Sequence, residues 1–518
     1  MTTMSRRRIL QTSAASAAAL ATGSALTGCG GDDASALFDE NGELVSLSVM
    51  LTLFGTRAPE PDGPVHKALE DFAGVKLDIE WVPGSNYNER VTTTLASQEL
   101  PSIIGVGSRD GGFLQAAEAG AFWDLSEKSR EYENLTPQSE EIYRSAGCNG
   151  AVYGLPRYLD PMRTAVSIRA DWLENLGLEP PRTVDDLLEI ARAFTYDDPT
   201  GTGEETYGLI LSSWNPIGKG TPFDSVECWF GAPNVWGEAD GELVPSFTTE
   251  PFFEANRFLR GMYEEGLVNR DFPTFDGLKW NETFFNGEGG IIVDVGSRAK
   301  EILALFKQAD PEHYGSYLTT VGNLEGPDGV LRAMPTSGHG GLLAISKTAV
   351  QTEGQLDQVL AVMDRLSSEE GQIQILNGTE GVTFELVDGY ASPILETEED
   401  QVNNEDVRTF ANFNAGINGK RYYDTLPDGD AERALFERLA ETAAADLEHA
   451  VRDPAAPYIS TTQIERGPQL ETIITDARNR FIVGDLDETG FRAEVDRWYS
   501  EGGQRIVDEI NEIHAENP

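Results

Sequence analysis

Residues 45–81 read VSLSVMLTLFGTRAPEPDGPVHKALEDFAGVKLDIEW, and their patterning decides the fold class. Val45, Leu47, Val49, Leu51 and Leu53 alternate with Ser46, Ser48, Met50 and Thr52, the period of a strand with one face buried. Val75, Leu77, Ile79 and Trp81 repeat that pattern. Between the two runs, Val65, Ala68, Leu69 and Phe72 recur at helical spacing behind Pro64, a residue suited to a first helical turn. Strand, helix and strand in that order form the unit of a parallel sheet. A further helix is expected over 88–98, and Ile103-Ile104-Gly105-Val106 then reads as a buried strand.

The same punctuation continues downstream. Thr183, with Asp186 three residues on, is an N-cap ahead of the stripe Val184, Leu187, Leu188, Ala191 and Phe194. Pro251 opens another amphipathic helix and Gly266 closes it. Strands are expected over 290–295 and 342–345, and the C-terminal third reads as mostly helix apart from turns near Asp388 and Asp428. Alternating strands and helices, with no segregated β region, predict α/β lobes with mainly parallel sheets. Ligands of such sheets bind outside the carboxyl ends of the strands. At 518 residues the chain exceeds what one core supports, so at least two lobes are expected.

Charge bounds the partners. There are 87 acidic and 39 basic side chains, a formal net charge of -48, and such a surface repels nucleic acid. Residues 1–28 carry Arg6, Arg7 and Arg8 and then an acid-free stretch rich in Ala, Ser and Thr, which is too polar to span a bilayer. The segment ends in Leu26-Thr27-Gly28-Cys29. It resembles a twin-arginine lipoprotein signal peptide, which implies acylation of Cys29 (palmitate among the added lipids), export of a folded chain, and anchoring on the extracytoplasmic face of the cell membrane. Residues 29–43, small and acidic, then read as a flexible tether. Cys148 and Cys228 could pair in that oxidising compartment or stay separate; spacing leaves both open, and the unpaired state is the reading preferred.

From Gly150 the chain reads GAVYGLPRYLDPMRTAVSIRADWLENLGLEPPRTVDDLLEIARAFTYDDPTGTGEETYGL. Tyr153-Gly154-Leu155-Pro156, Arg169-Ala170-Asp171-Trp172-Leu173, the Asp198-Pro199 loop and Tyr207-Gly208-Leu209, followed by 230–236 and 263–267, resemble the extracellular solute-binding proteins, family 1, of bacterial ABC importers. The likeness is to the large lipoproteins that bind oligosaccharide or alginate. It implies a periplasmic-binding-protein type II fold: two lobes with a hinge and a ligand cleft, 44–160 with 291–345 in one, and 161–290 with 346–518 in the other. It also implies a monomeric, non-catalytic carrier that hands its solute to the permease. Relatives often hold Ca²⁺ in the loop that begins here at Asp198. In this chain Thr200, Thr202 and Thr206 replace ligating positions, so the loop reads as degenerate and no metal or other cofactor is expected.

Sugar sites join aromatic platforms to hydrogen-bonding side chains. Aromatics in polar loops are therefore the candidates: Trp81, Tyr87, Tyr158, Trp214 and Trp280, with Arg157, Asp160 and His339 as polar partners. Each has a structural alternative, since large aromatics are mostly core, the charged trio Arg157, Asp160 and Arg163 can be a solvated hinge, and a lone His is often an ordinary loop residue. No GxSxG, HExxH or P-loop is present, and five scattered His lack metal-ligand spacing, so no catalytic residue is assigned. The expected solute is a neutral oligosaccharide. A peptide or other polar solute is the alternative within binding proteins, and a secreted carbohydrate-active enzyme is the alternative of another class.

Overall fold

A computed structural model describes residues 36–97, 99–107 and 109–517. The export leader, Cys29 and the first part of the tether lie outside the described residues. The rest of the tether is not free coil: the Asp39 carboxylate accepts the N–H groups of Asn41 and Glu43, and Val45 N–H donates to the Leu37 carbonyl. This turn is docked through Gln358, whose amide bonds the backbone of Gly42 and Leu44.

The strands run β1 (Ser46–Leu53), β2 (Lys76–Pro83), β3 (Ile103–Val106), β4 (Leu155–Tyr158), β5 (Thr164–Arg169), β6 (Tyr207–Leu209), β7 (Trp236–Ala239), β8 (Glu242–Pro245), β9 (Gly289–Val295), β10 (Leu318–Val321), β11 (His339–Ile345), β12 (Phe384–Val387) and β13 (Tyr390–Pro393). A first sheet has the order β2-β1-β3-β11-β4, a second β10-β5-β9-β6, and two hairpins pair β7 with β8 and β12 with β13. The opening unit forms as its pattern requires, with β1 parallel to β2 and the helix Pro64–Ala73 between them in sequence. Thr183 and Asp186 make a reciprocal capping box.

The sheets are mixed rather than mainly parallel. In the first, β11 runs against β3 and β4, and in the second β5 runs against β9 and β10. Both reversed strands adjoin a crossing. The chain leaves β4 and enters β5 through 159–163, and it leaves β10 and returns to β11 through 322–338. A strand entered by crossing from the facing sheet begins at that sheet's carboxyl edge, and so must run backwards. Both crossings therefore join carboxyl edges, which sets those edges towards each other. Close approach at the return explains a glycine: a Cβ on Gly341, whose φ is +97°, would lie 2.2 Å from the Val106 carbonyl oxygen.

The apportioning of segments is corrected. Residues 291–295 and β10, expected with the first lobe, belong to the second sheet, where Ile291 and Val293 pack with Val166, Trp172 and Phe194. Burying such side chains is worth about 1.5–3 kcal/mol each, and either sheet offers the same gain, so an apolar run alone does not name its sheet. Conversely, the helices Glu353–Leu366 and Glu398–Phe410, expected with the second lobe, pack on the first core through Leu356, Val359, Leu360, Met363, Val407 and Phe410. The helix Asp430–Leu447 returns to the second sheet through Leu435, and the last three helices close a separate core with Phe252, Phe253 and Trp236.

Candidate functional site

Where the carboxyl edges face each other there is a cleft of about 860 Å³. Its first wall comes from Tyr158 at the end of β4, from Tyr390 of β13, and from Arg421, Tyr423 and Asp424. The crossing residues Asp160–Thr164 close one end. The opposite wall is the start of the helix Gly296–Ala309, with Ser297 and Lys300, and one face of the helix Asp430–Leu447, with Phe436, Ala440, Ala443 and Ala444. Alanine on that face has a simple consequence, since small side chains on a strong helix former leave room without weakening the helix.

Four aromatic rings border this space. The Lys300 ammonium lies 3.7 Å from the centre of the Phe436 ring, and Arg433 lies 5.0 Å from that of Tyr390. Burial holds the Lys300 ammonium below its ordinary pKa and pushes the Tyr158 hydroxyl up to about 12. Tyr158 therefore stays protonated at neutral pH as a hydrogen-bond donor, here to Asp160 at 3.4 Å. Arg421 faces Asp424 at 3.5 Å, and Glu432 accepts the Asp428 N–H. With Arg163 and Glu437, the wall carries three cations and four carboxylates, so donors and acceptors are interleaved and no strong field of one sign is present. That suits hydroxyl groups, which both donate and accept.

Residues 58–373 match the family model for bacterial extracellular solute-binding protein. The chain belongs to that family. Lipoprotein LipO of Bacillus subtilis (strain 168) is 37% identical over 475 residues, covering 92% of this chain and 93% of the relative. The polygalacturonan/rhamnogalacturonan-binding protein YtcQ of the same organism is 31% identical over 499 residues, covering 95% and 96%. An extracellular solute-binding protein structure from Bifidobacterium longum subsp. infantis superposes with a TM-score of 0.71 over 92% of this chain and 99% of that one, at 14% identity. The fold is the periplasmic-binding-protein type, as the resemblance implied.

Within this solute-binding protein, Tyr158 and Asp160 line the cleft, and the other six residues singled out from sequence do not. Trp81 packs on the first core, its ring edge-on to Phe410 at 5.6 Å. Tyr87 is buried and donates its hydroxyl to the carbonyls of Gly105 at 2.6 Å and Met50 at 3.0 Å, tying its helix to β1 and β3. Arg157 is likewise committed, to the Gly340 carbonyl at 3.2 Å and the Asn412 side chain at 3.1 Å. Trp280 is 1% exposed, donates to the Ile210 carbonyl at 3.2 Å and lies under the Arg298 guanidinium. His339 opens β11, not a ligand loop; burial lowers its pKa to about 4, and the neutral ring accepts the Gly341 N–H at 3.3 Å. Trp214 is 45% exposed on a loop beyond β6, outside the cleft wall.

Tyr390, Tyr423, Phe436, Lys300 and Arg421 were not found from sequence. Arg421-Tyr422-Tyr423-Asp424, between Gly419 and Pro427, is an aromatic and polar turn close to the one expected near Asp428, and its sequence does not say that the turn faces a cleft. Phe436 sits on an ordinary helical stripe and carries no such signal. Cys148 and Cys228 are free and buried, and burial pushes their thiols up to about 11 and about 12. In the degenerate loop, the Asp198 carboxylate accepts the Gly203 N–H at 3.0 Å and the Thr200 hydroxyl at 3.2 Å, so the turn satisfies its own charged oxygen. Among the described residues no group of three or more His, Cys, Asp and Glu is placed to hold a metal ion.

Proposed function

We propose that this protein captures a neutral oligosaccharide in the cleft, closes over it by rotation about the crossing segments, and delivers it to the membrane subunits of an ABC importer. It acts as a monomer without chemical turnover or a cofactor, held to the outer face of the membrane by lipid on Cys29. The observation that carries this reading is the make-up of the cleft. Its walls come from both sheets and its end from a crossing, so a solute bridging them favours the closed arrangement by differential binding. Tyr158, Tyr390, Tyr423 and Phe436 offer apolar faces beside interleaved charges, the combination a polyhydroxyl ring needs. YtcQ, named as a polygalacturonan/rhamnogalacturonan-binding protein, supports the carbohydrate class. Among the described residues no helix is long and apolar enough to cross a membrane.

A melting screen of the chain against oligosaccharides and peptides tests the proposal. A bound oligosaccharide at one hundred times its dissociation constant stabilises the fold by about 2.7 kcal/mol. Stabilisation by peptides alone, or steady release of cleaved sugar, would contradict it.

A further inference from the structure

The helix Thr461–Ile482 contributes nothing to the cleft wall, yet it grips one loop next to it. Ile217 N–H donates to the Glu471 carboxylate at 2.9 Å, the Asn215 side chain donates to the Thr475 carbonyl at 3.4 Å, and Arg478 donates to the Asn215 carbonyl. From the other side, Asp224 accepts the N–H groups of Gly218 at 3.0 Å and Lys219 at 3.1 Å, while Ser213 N–H donates to the Phe275 carbonyl at 3.0 Å. The backbone of 213–219 is thus tied at both ends and in the middle. Trp214, its largest side chain, is nevertheless left 45% exposed. A half-exposed indole on a fixed backbone adds little to the core, and covering it with a solute recovers its transfer free energy at small entropic cost.

The strand register gives the place of Trp214. Leu209 of β6 is level with Ile291 of β9. β6 and β9 run parallel, so the loop that leaves β6 after Leu209 and carries Trp214 emerges at the same sheet edge as Gly296, which follows β9 and lines the cleft. Trp214 therefore stands at the same sheet edge, one strand further from the crossings. Leu278, 88% exposed, lies in the segment that follows Phe275.

Building on the oligosaccharide reading, we infer that Trp214 is the stacking platform of an outer sugar subsite, that Glu471 and Arg478 are its positioning residues, and that the ligand is long enough to run from Tyr158 past β6. The helix Thr461–Ile482 is thereby part of ligand selection. The test is calorimetric titration of the full chain in detergent with fructo-, galacto- and xylo-oligosaccharide ladders, from disaccharide to octasaccharide. Trp214→Ala is expected to weaken the longest binding member by ~10-fold and the shortest by less than about twofold. Glu471→Ala is expected to reproduce that length dependence with an unchanged melting temperature, a split that a merely structural role would not produce. Equal losses at every length, or none at any, would overturn the subsite while leaving the cleft reading intact. Failure of the unmodified chain to bind any ladder would overturn both.

Discussion

Replacing Ala444 with Trp is expected to weaken oligosaccharide binding by at least about 100-fold, equivalent to about 2.7 kcal/mol, while the melting temperature stays unchanged. Ala444 is exposed, projects from the helix Asp430–Leu447 and lines the cleft. An indole there occupies space that the solute needs, and it displaces no core side chain, so the overpacking cost of a large residue in a filled interior does not arise. Trp is a weaker helix former than Ala by only a few tenths of a kcal/mol. Titration calorimetry beside a melting curve separates the two effects. Undiminished binding by a folded Ala444→Trp variant would move the site elsewhere.

Replacing Arg478 with Met is expected to cost about 3–5 kcal/mol in urea unfolding. Arg478 is fully buried, its guanidinium lies 3.1 Å from the Glu227 carboxylate, and Asn256 donates to the same oxygen at 3.0 Å. Burial, with a smaller push from the Asp224 carboxylate, drives the Glu227 carboxyl up to about 7 against the opposing pull of Arg478. Removing the guanidinium leaves a buried carboxylate without its counter-charge. A carboxyl whose folded pKa lies above its ordinary 4.5 binds more protons folded than unfolded between those values. The variant should therefore gain stability as the pH falls from 7 towards 4.5. The double variant Arg478→Met with Glu227→Gln, which removes the stranded charge, is expected to recover much of the loss. If the single variant unfolds like the unmodified chain, the pair is not what secures the helix Thr461–Ile482.

The opening strand, helix and strand were legible because each alternates or repeats on one face against solvent, and the local pattern needs no distant partner. Length alone implies at least two lobes, and the hinge and cleft between them come through the resemblance. The apportioning of segments did not, because Ile291 and Val293 would be buried equally well in either sheet and nothing local to 289–295 names the neighbour. The reversal of β5 and β11 was hidden for the same reason: direction follows from where the chain crosses, a property of the assembled fold. Tyr158 and Asp160 were legible as an aromatic residue and a polar partner in a polar stretch. Trp81, Tyr87 and Trp280 met the same description, but each packs against the core or donates to a backbone carbonyl of a neighbouring strand, a distinction that only tertiary structure makes. The opposite wall drew on helix Asp430–Leu447, whose inward face looks like any apolar stripe until the crossings bring it to the cleft.

The central claim is that a solute bridging both walls closes the cleft, and small-angle X-ray scattering measures this most directly. With a saturating oligosaccharide, shown by calorimetry to bind, the radius of gyration should fall for the unmodified chain and stay constant for Ala444→Trp. An unchanged radius in the unmodified chain, with binding demonstrated in the same sample, would contradict capture by closure.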